Sequence, residues 1–384
     1  MPEFGFSEAQ EMLRREAERF CQKEVITGAK ERDKKEEIPR ELVRKMGENG
    51  LLGLNVPEKY GGQPADWISV GVVVEELGKG DPLIALYCLY PTLFSIALKD
   101  CSEEVRQEWL PALVKGEKIG CFSLTEPDCG SDAGSLKTRA IRKGDYYIFN
   151  GEKTSISFGM MADEALVFAK TDSSAPRSRG VSCFLVPLDL PGITRSKFAD
   201  MGLKAAGRAS LIMDDVKVPA KYLVSEEGKG FKMAMEHMDF LRVGVSLAPL
   251  ALAETALNEA MNYARQRTAF GKPIAKFEGI SYKLAEAATL IETGKLLCYH
   301  AFWMMDQHMP NTKEVAMCKW WCPWVAAKVV HDCLLIFGHI GYSEEFAMER
   351  RLRDVIGFEM ADGTADIMKL IIARELLGRE FLPY

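Results

Sequence analysis

The sequence lacks clustered positive charge and any obvious export or membrane segment. Its 49 Lys and Arg residues are outnumbered by 55 Asp and Glu, giving a formal charge of -6, and no basic block occurs that would bind a nucleic-acid backbone. The N-terminus MPEFGFSEAQEMLRREAERF has no apolar signal-peptide core, and no later apolar stretch free of charge reaches membrane-spanning length. We therefore expect a cytoplasmic protein, or an organellar one after loss of a transit peptide, without nucleic-acid or membrane partners.

Metal ligands are also scarce, because the chain has five histidines and its ten cysteines are dispersed. Only Cys318 and Cys322 lie close together, in CKWWC, without the second pair that a zinc site of this kind needs. The remaining cysteines stand singly: Cys21, Cys88, Cys101, Cys121, Cys129, Cys183, Cys298 and Cys333. The pattern predicts no metal site and buried, reduced thiols.

Hydrophobic periodicity divides the chain into three parts. Helical spacing up to about Lys115 predicts five or six helices, the first opened by a capping box at Ser7. Short β-type runs follow Gly120, and helical spacing returns near Gly228. No long helices separate the β-runs, and the glycine fingerprint of a dinucleotide-binding sheet is missing. We predict an α+β multidomain fold: an N-terminal helical domain (1–118), a largely antiparallel β-barrel or sandwich (119–227) and a C-terminal four-helix bundle (228–384).

One segment, SLTEPDCGSDAGSLKT from Ser123 to Thr138, resembles the first signature of the acyl-CoA dehydrogenases. Further family-like segments occur in the expected order: GLLGLNVPEKYGG, FLVPLDLPG, DDVKVP, RQRTAFGKPIAKFEG, FGHIGYSEEFAMERRLRD and MADGTADIMKLIIARELLG. The resemblance covers essentially the whole chain. It implies the fold described above, FAD as cofactor, an acyl-CoA substrate, an electron-transfer flavoprotein as electron acceptor, and a homotetramer in which neighbouring subunits share FAD.

Oxidation between the α and β carbons of a thioester needs a base for the α-proton and a cofactor that accepts hydride. The resemblance places Asp362, in Ala-Asp-Gly-Thr, where the family has its catalytic glutamate. A carboxylate with an ordinary pKa near ~3.9 must be desolvated to act as a base at neutral pH. In the family, the base residue's own N–H and a flavin ribityl hydroxyl bind the thioester carbonyl. The alternative role for Asp362 is that of a helix N-cap.

Aspartate is one methylene shorter than glutamate, so the substrate's α carbon must come nearer to the backbone. This favours a substrate other than a straight-chain acyl group, and the family branch associated with an aspartate base acts on alicyclic substrates such as cyclohexane-1-carbonyl-CoA. Nitroalkane oxidases share the fold and also use aspartate, so an oxidase remains an alternative. The resemblance assigns the following residues to the substrate: Ser131, Asp239, Arg242, Gly363 and Arg374.

The resemblance also assigns the cofactor contacts. From the β-domain these are Phe122, Leu124, Thr125, Gly130, Ser131, Ser155 and Ser157. From the helical part they are Arg267, Phe270, Glu278, Leu335, His339, Thr364 and Asp366, with Arg267 and Phe270 reaching the FAD of a neighbouring subunit. Small residues at Gly130 and Ser131 would let backbone amides approach the pyrophosphate, and the fork of Arg267 suits the same anion.

Several of these positions depart from the family pattern. Ser155-Ile156-Ser157-Phe158 stands where a W-I-T-N motif packs by the flavin, so Ser157 keeps a hydroxyl but the tryptophan wall is lost. Glu278 and Leu335 replace glutamines, and His339 replaces a glycine. An acidic Glu278 near pyrophosphate would be unfavourable unless paired. His339 would either act as a compensating cation or pack in the core. These substitutions leave a catalytically inactive CoA-binding relative as a further alternative.

Overall fold

The computed structural model describes residues 5–382. Its first part contains seven α-helices between Glu8 and Val114. They are α1 (Glu8–Phe20), α2 (Ala29–Lys35), α3 (Arg40–Glu48), α4 (Trp67–Gly78), α5 (Pro82–Tyr87), α6 (Tyr90–Ala97) and α7 (Glu103–Val114). The capping box at Ser7 is present, because the Ser7 hydroxyl accepts from the Gln10 N–H and the Gln10 side chain accepts from the Ser7 N–H. One helix more than predicted arises because the apolar run after Asp81 is divided between α5 and α6.

The middle part is a single curled sheet of seven strands. They are β1 (Gly120–Ser123), β2 (Arg139–Lys143), β3 (Tyr146–Ile156), β4 (Glu164–Lys170), β5 (Val181–Pro187), β6 (Ile193–Lys197) and β7 (Ala209–Pro219). Most pairings are antiparallel, as predicted, but β1 and β2 each pair with β4 in parallel. The sequence missed this because parallel neighbours can be joined by β-strands and loops as well as by a helix.

The last part is helical, and its first helix begins at Gly230, close to the predicted return of helical spacing near Gly228. Its helices are α8 (Gly230–Gln266), α9 (Glu278–Asp306), α10 (Thr312–Phe337), α11 (Met348–Met360) and α12 (Ala365–Leu377), with a short hairpin of β8 (Thr268–Ala269) and β9 (Lys272–Pro273) after α8. Helix α8 packs against α4, α5 and α6 as well as against α9 and α10. One continuous hydrophobic core therefore runs through all three parts.

Three helical segments have the length and apolar composition to cross a membrane: Pro82–Asp100, Gly230–Gln266 and Thr312–Tyr342. The sequence prediction concerned stretches free of charge, which is a narrower criterion than length and mean composition. In the first two segments, 83% and 89% of the apolar window is buried inside the protein, so the core accounts for their composition. In the third, 44% is buried, and side chains such as Trp324 and Leu335 remain exposed.

All ten cysteines are buried and free, as predicted. Cys298 and Cys322 come closest, with 3.7 Å between their sulfurs. Burial raises the pKa of these thiols, which is the behaviour of packed, unreactive cysteines.

Candidate active site

Asp362 lies in the short connection between α11 and α12. Its backbone is left-handed, with φ of 52°, and Gly363 follows with φ of 110°. Aspartate tolerates this region at a cost of about 1–2 kcal/mol. Helix α12 is capped by Thr364, whose hydroxyl accepts from the Ile367 N–H at 3.4 Å. The alternative role of Asp362 as the N-cap is therefore wrong, and its carboxylate is not used to cap α12.

Two buried cations hold this turn. Arg242 Nε donates to the Asp362 carbonyl at 3.2 Å. Lys319 Nζ donates to the carbonyls of Gly363 at 3.1 Å and Phe358 at 2.9 Å. The residues Arg242 and Lys319 are 8% and 1% exposed. Sequence reasoning missed Lys319, although its position in the apolar repeat of α10 was a usable signal.

Burial and nearby positive charges shift the pKa of the Asp362 carboxylate in opposite directions. The residue keeps partial solvent access, yet the surrounding protein is dense enough that burial raises the pKa of Asp362. The positive charges of Lys319 and Arg242 act in the opposite direction without cancelling this rise. A raised pKa is the property that a carboxylate base needs near neutral pH.

The backbone around Asp362 also offers a hydrogen-bond donor. Within residues 5–382, the N–H of Asp362 donates to no protein acceptor, whereas the N–H of Ala361 is satisfied by Gly357. A carboxylate and an unpaired N–H on one residue suit a substrate that loses a proton beside a carbonyl group. This is the arrangement that the resemblance implied.

Three of the predicted substrate residues lie together with Asp362. Arg242 binds the Asp362 carbonyl and pairs with Asp239 at 3.4 Å, and Gly363 is held by Lys319. Burial raises the pKa of Asp239 despite the opposing charge of Arg242. The other two predicted residues lie elsewhere: Arg374 is on α12, where it pairs with Glu375 at 2.9 Å, and Ser131 is on an exposed loop of the sheet.

An aromatic cluster of Tyr87, Tyr90 and Phe158 connects the base to the β-domain. The Tyr87 and Tyr90 rings stack at 5.9 Å, and Phe158 meets them edge-on at 5.1 and 5.0 Å. Burial and the charge of Asp362 raise the pKa of Tyr90 well above its ordinary value. Sequence reasoning missed both tyrosines, which lie in an apolar helical run and gave no signal beyond core packing.

The Thr-Glu-Pro turn after β1 is anchored by a buried carboxylate. Glu126 accepts from the N–H groups of Lys137 and Thr138 and pairs with Lys153 Nζ at 2.8 Å. Burial alone would raise the pKa of Glu126, but the charge and hydrogen bond of Lys153 outweigh it and lower the pKa. The loop beyond the turn is therefore held firmly from inside the protein.

This anchored loop has the features of an anion cradle. Gly130 and Ser131 are exposed, and within residues 5–382 their N–H groups donate to no protein acceptor. A Cβ added to Gly130 would meet open space. Free amides beside open space suit a phosphate group, so the loop fits the pyrophosphate of FAD.

The other β-domain residues predicted to contact FAD border the same region. Phe122, Thr125 and Ser157 are partly accessible, Leu124 is buried, and Ser155 is exposed. A guanidinium absent from the sequence prediction also lies here, since Arg208 Nη1 donates to the Ser155 hydroxyl at 3.4 Å. These apolar faces and free hydroxyls fit a planar, partly polar ring system such as a flavin.

The predicted cofactor residues of the helical part lie on the outside of the protein. Exposed side chains are Arg267, Phe270, Glu278, Leu335, His339, Thr364 and Asp366. Phe270 is 94% exposed at the tip of the β8–β9 hairpin. Within residues 5–382, no hydrogen bond or ion pair links Arg267, Phe270 or His339 to the Asp362 turn.

The structure bears on two positions at which the sequence departs from the family pattern, His339 and Glu278. His339 is exposed, so the alternative that it packs in the core is wrong. Glu278 opens α9 as its first residue, where the positive end of the helix dipole stabilises a carboxylate. That position gives Glu278 a favourable electrostatic environment, although it has no ion-pair partner in the part of the chain that the structure describes.

Comparison with known proteins identifies related chains over nearly the whole length of the protein. Residues 7–117, 121–216 and 228–377 match the models for the acyl-CoA dehydrogenase N-terminal, middle and C-terminal domains. The short-chain specific acyl-CoA dehydrogenase of Rattus norvegicus mitochondria is 37% identical over 96% of this chain and 90% of its own. The 3-(aryl)acrylate reductase of Clostridium sporogenes is 37% identical over 97% of this chain and 99% of its own.

Solved structures of similar chains have the same fold. A chain in the structure described as the electron transferring flavoprotein of Acidaminococcus fermentans has a TM-score of 0.94 at 36% identity, covering 98% of this chain and 100% of that one. The glutaryl-CoA dehydrogenase of Mycobacterium smegmatis, in complex with FADH2, has a TM-score of 0.91 at 27% identity, covering 97% and 96%.

Proposed function

The chain belongs to the acyl-CoA dehydrogenase family, and from that membership we propose that its substrate is an alicyclic acyl-CoA, such as cyclohexane-1-carbonyl-CoA, with Asp362 as the base. The coarser function follows from the family: the protein is an FAD-dependent oxidoreductase that acts on acyl-CoA. FAD, when bound, supplies the hydride acceptor. The Gly130–Ser131 loop would hold its pyrophosphate, and Ser157 would lie beside its ring.

The observation that carries the assignment of Asp362 is its combination of a largely desolvated carboxylate with a fixed backbone. Asp362 takes the α-proton, and its raised pKa makes it a stronger base than an exposed aspartate. Its free N–H donates to the thioester carbonyl, where negative charge develops as the proton leaves. Arg242 and Lys319 keep the turn in position by binding the carbonyls of Asp362 and Gly363.

The proposal of an alicyclic acyl group has two supports. Asp362 is shorter than the family glutamate, so the reacting carbon must approach closely, as an α-branched ring carbon held against the turn would do. Tyr90, whose pKa responds to the charge of Asp362, places an aromatic ring near the base, backed by Tyr87 and Phe158, and this suits a compact ring better than an extended chain. The Clostridium sporogenes relative also takes its name from a ring-bearing acid.

We further propose that electrons pass to an electron-transfer flavoprotein and that the protein is a homotetramer. The similar chain in the Acidaminococcus fermentans structure supports the first point. The exposure of Phe270, Leu335 and Trp324 supports the second, because large apolar side chains at the surface of a helical bundle are typical of subunit interfaces. The oxidase alternative is not favoured, since the relatives described above are not named as oxidases.

A substrate screen tests the proposal. The purified flavoprotein is mixed anaerobically with straight-chain, branched, aromatic and alicyclic acyl-CoA thioesters, and bleaching of the oxidised flavin is followed. Fastest bleaching by cyclohexane-1-carbonyl-CoA is expected. Faster reaction with butyryl-CoA would refute the alicyclic assignment, and hydrogen peroxide from nitroalkanes without CoA would revive the oxidase alternative. A colourless protein that still bound CoA would indicate a catalytically inactive relative.

A further inference from the structure

A lysine from outside the recognised motifs reaches the turn that carries the proposed base. We propose that Lys319 is a positioning residue, whose ammonium group fixes the Asp362–Gly363 turn relative to α11 and keeps the carboxylate aimed at the substrate. The inference rests on the proposed role of Asp362. It concerns a residue that touches neither the reacting carbon nor the FAD-binding loop.

The geometry places Lys319 at the meeting point of three elements. It projects from the middle of α10, and its Nζ binds the carbonyl of Phe358 in the last turn of α11 and that of Gly363 beyond the base. Carbonyls in the last turn of a helix have no partner within the helix. One ammonium group therefore caps α11 and ties the following turn to it.

The location of this charge is costly, which argues against an incidental contact. Lys319 is 1% exposed, and within residues 5–382 the recorded partners of its Nζ are carbonyl oxygens, with no carboxylate within ion-pairing distance. Burying an ammonium group without a carboxylate costs several kcal/mol unless hydrogen bonds offset it. The acceptors that offset it here are the two carbonyls that define the turn.

Lys319 and Arg242 together orient consecutive peptide groups. Arg242 binds the Asp362 carbonyl and Lys319 binds the Gly363 carbonyl, so both carbonyls are turned toward the helices. The Asp362 carboxylate and N–H are left free for substrate. Catalytic groups are held to a fraction of an ångström by such supporting contacts, and a displacement of about 1 Å can lower a rate about 100-fold.

The charge of Lys319 also acts on the base. Burial lowers the pKa of Lys319 to about 8, and the charge of Asp362 opposes that fall. The groups facing the pair are Arg242 and Asp239 on α8, Tyr90 on α6, Glu359 on α11 and Cys322 on α10 itself. Lys319 is therefore a cation at neutral pH, and its removal would raise the pKa of Asp362 further, because only Arg242 would remain to favour the carboxylate.

The test compares Lys319→Met, which removes both donor and charge, with Lys319→Gln, which keeps a donor without the charge. Flavin reduction is measured anaerobically across pH with the acyl-CoA that bleaches the wild type fastest. For Lys319→Met we expect flavin reduction at saturating substrate to be about 100-fold slower, with KM little changed. We also expect the acidic limb of its pH–rate profile, where the rate falls as the base is protonated, to move to higher pH. Lys319→Gln should be about tenfold faster than Lys319→Met, but the acidic limb of its pH–rate profile should remain at the higher pH.

Lys295→Met is the matched control. Lys295 is a largely buried lysine on α9, with 14% of its side chain exposed, and its Nζ pairs with Glu75 and Glu254 at 2.7 Å each, away from the turn. It should lower the melting temperature without moving the acidic limb. The proposal is overturned if the acidic limb of the pH–rate profile of Lys319→Met lies at the wild-type pH. It is also overturned if Lys319→Gln and Lys319→Met reduce the flavin equally slowly. If Lys319→Met does not fold, the position of the acidic limb in Lys319→Gln decides. Failure of the proposed function is distinct, because the wild type would then not bleach or Asp362→Ala would react normally.

Discussion

Replacement of Asp362 by alanine removes the carboxylate while leaving the backbone contacts of the turn in place. Arg242 and Lys319 bind the carbonyls of residues 362 and 363, which alanine retains. The loss should therefore report the base alone rather than a collapse of the site. A positioned general base contributes about 10²- to 10⁴-fold, which corresponds to about 3–5 kcal/mol of activation free energy.

Asp362→Glu makes the prediction more specific. Glutamate adds one C–C bond of about 1.5 Å, and the turn cannot retreat because both carbonyls are held by buried cations. The carboxylate would overshoot an alicyclic α carbon by about 1 Å, which predicts about a 100-fold slower reaction with that substrate. A straight-chain acyl-CoA, which lies farther from the backbone, should lose much less or gain.

Rapid-mixing measurement of anaerobic flavin bleaching is the assay, and FAD content and melting temperature serve as controls for folding. In the wild type the rate should rise with pH, because only the ionised carboxylate accepts a proton, and the limb should lie above the ordinary aspartate pKa of 3.8. Asp362→Ala should lack this limb. Alanine turnover within threefold of the wild type, with the same pH profile, would refute the reasoning.

Three further outcomes follow from the structure. Burial raises the pKa of Asp354 from 3.8 to about 7, and its carboxylate accepts from the Leu203 N–H at 2.7 Å. The folded state therefore binds the proton of the Asp354 carboxyl more tightly than the unfolded state does. The free energy of unfolding should fall as the pH rises from about 3.8 to about 7. Asp354→Asn keeps the acceptor and should melt higher than the wild type at pH 8 but not at pH 3.5, and a pH-independent difference would contradict the assignment. Lys153→Met leaves Glu126 buried without its cation, so urea unfolding should show a loss of about 3–5 kcal/mol together with weaker FAD retention; wild-type values for both would count against the anchored loop. Phe270→Ala, at a side chain 94% exposed, should change FAD-free stability by less than about 0.5 kcal/mol yet weaken FAD retention on gel filtration, and undiminished retention would argue against a contact with a neighbouring subunit's cofactor.

Local pattern was sufficient for much of the architecture. Period-3.6 and period-2 spacing predicted helices, then strands, then helices, because each element must bury one face and the spacing of apolar residues records which face that is. The Ser7 capping box was also predictable, since its partners lie three residues apart. The Thr-Glu-Pro and Ala-Asp-Gly-Thr segments located the candidate cradle and the candidate base by motif alone.

The support around these motifs depended on contacts between distant parts of the chain. Lys319 occupies a core position of α10, and only the packing of α10 against α11 shows that its ammonium meets two carbonyls at the base. The parallel pairing of β1 with β4, the cap at Thr364 and the exposure of His339 were equally undetermined. Apolar spacing records that a face is buried but not what covers it, so the amino-acid sequence by itself determined the elements and located the candidate base, whereas the tertiary structure decided what holds that residue in place.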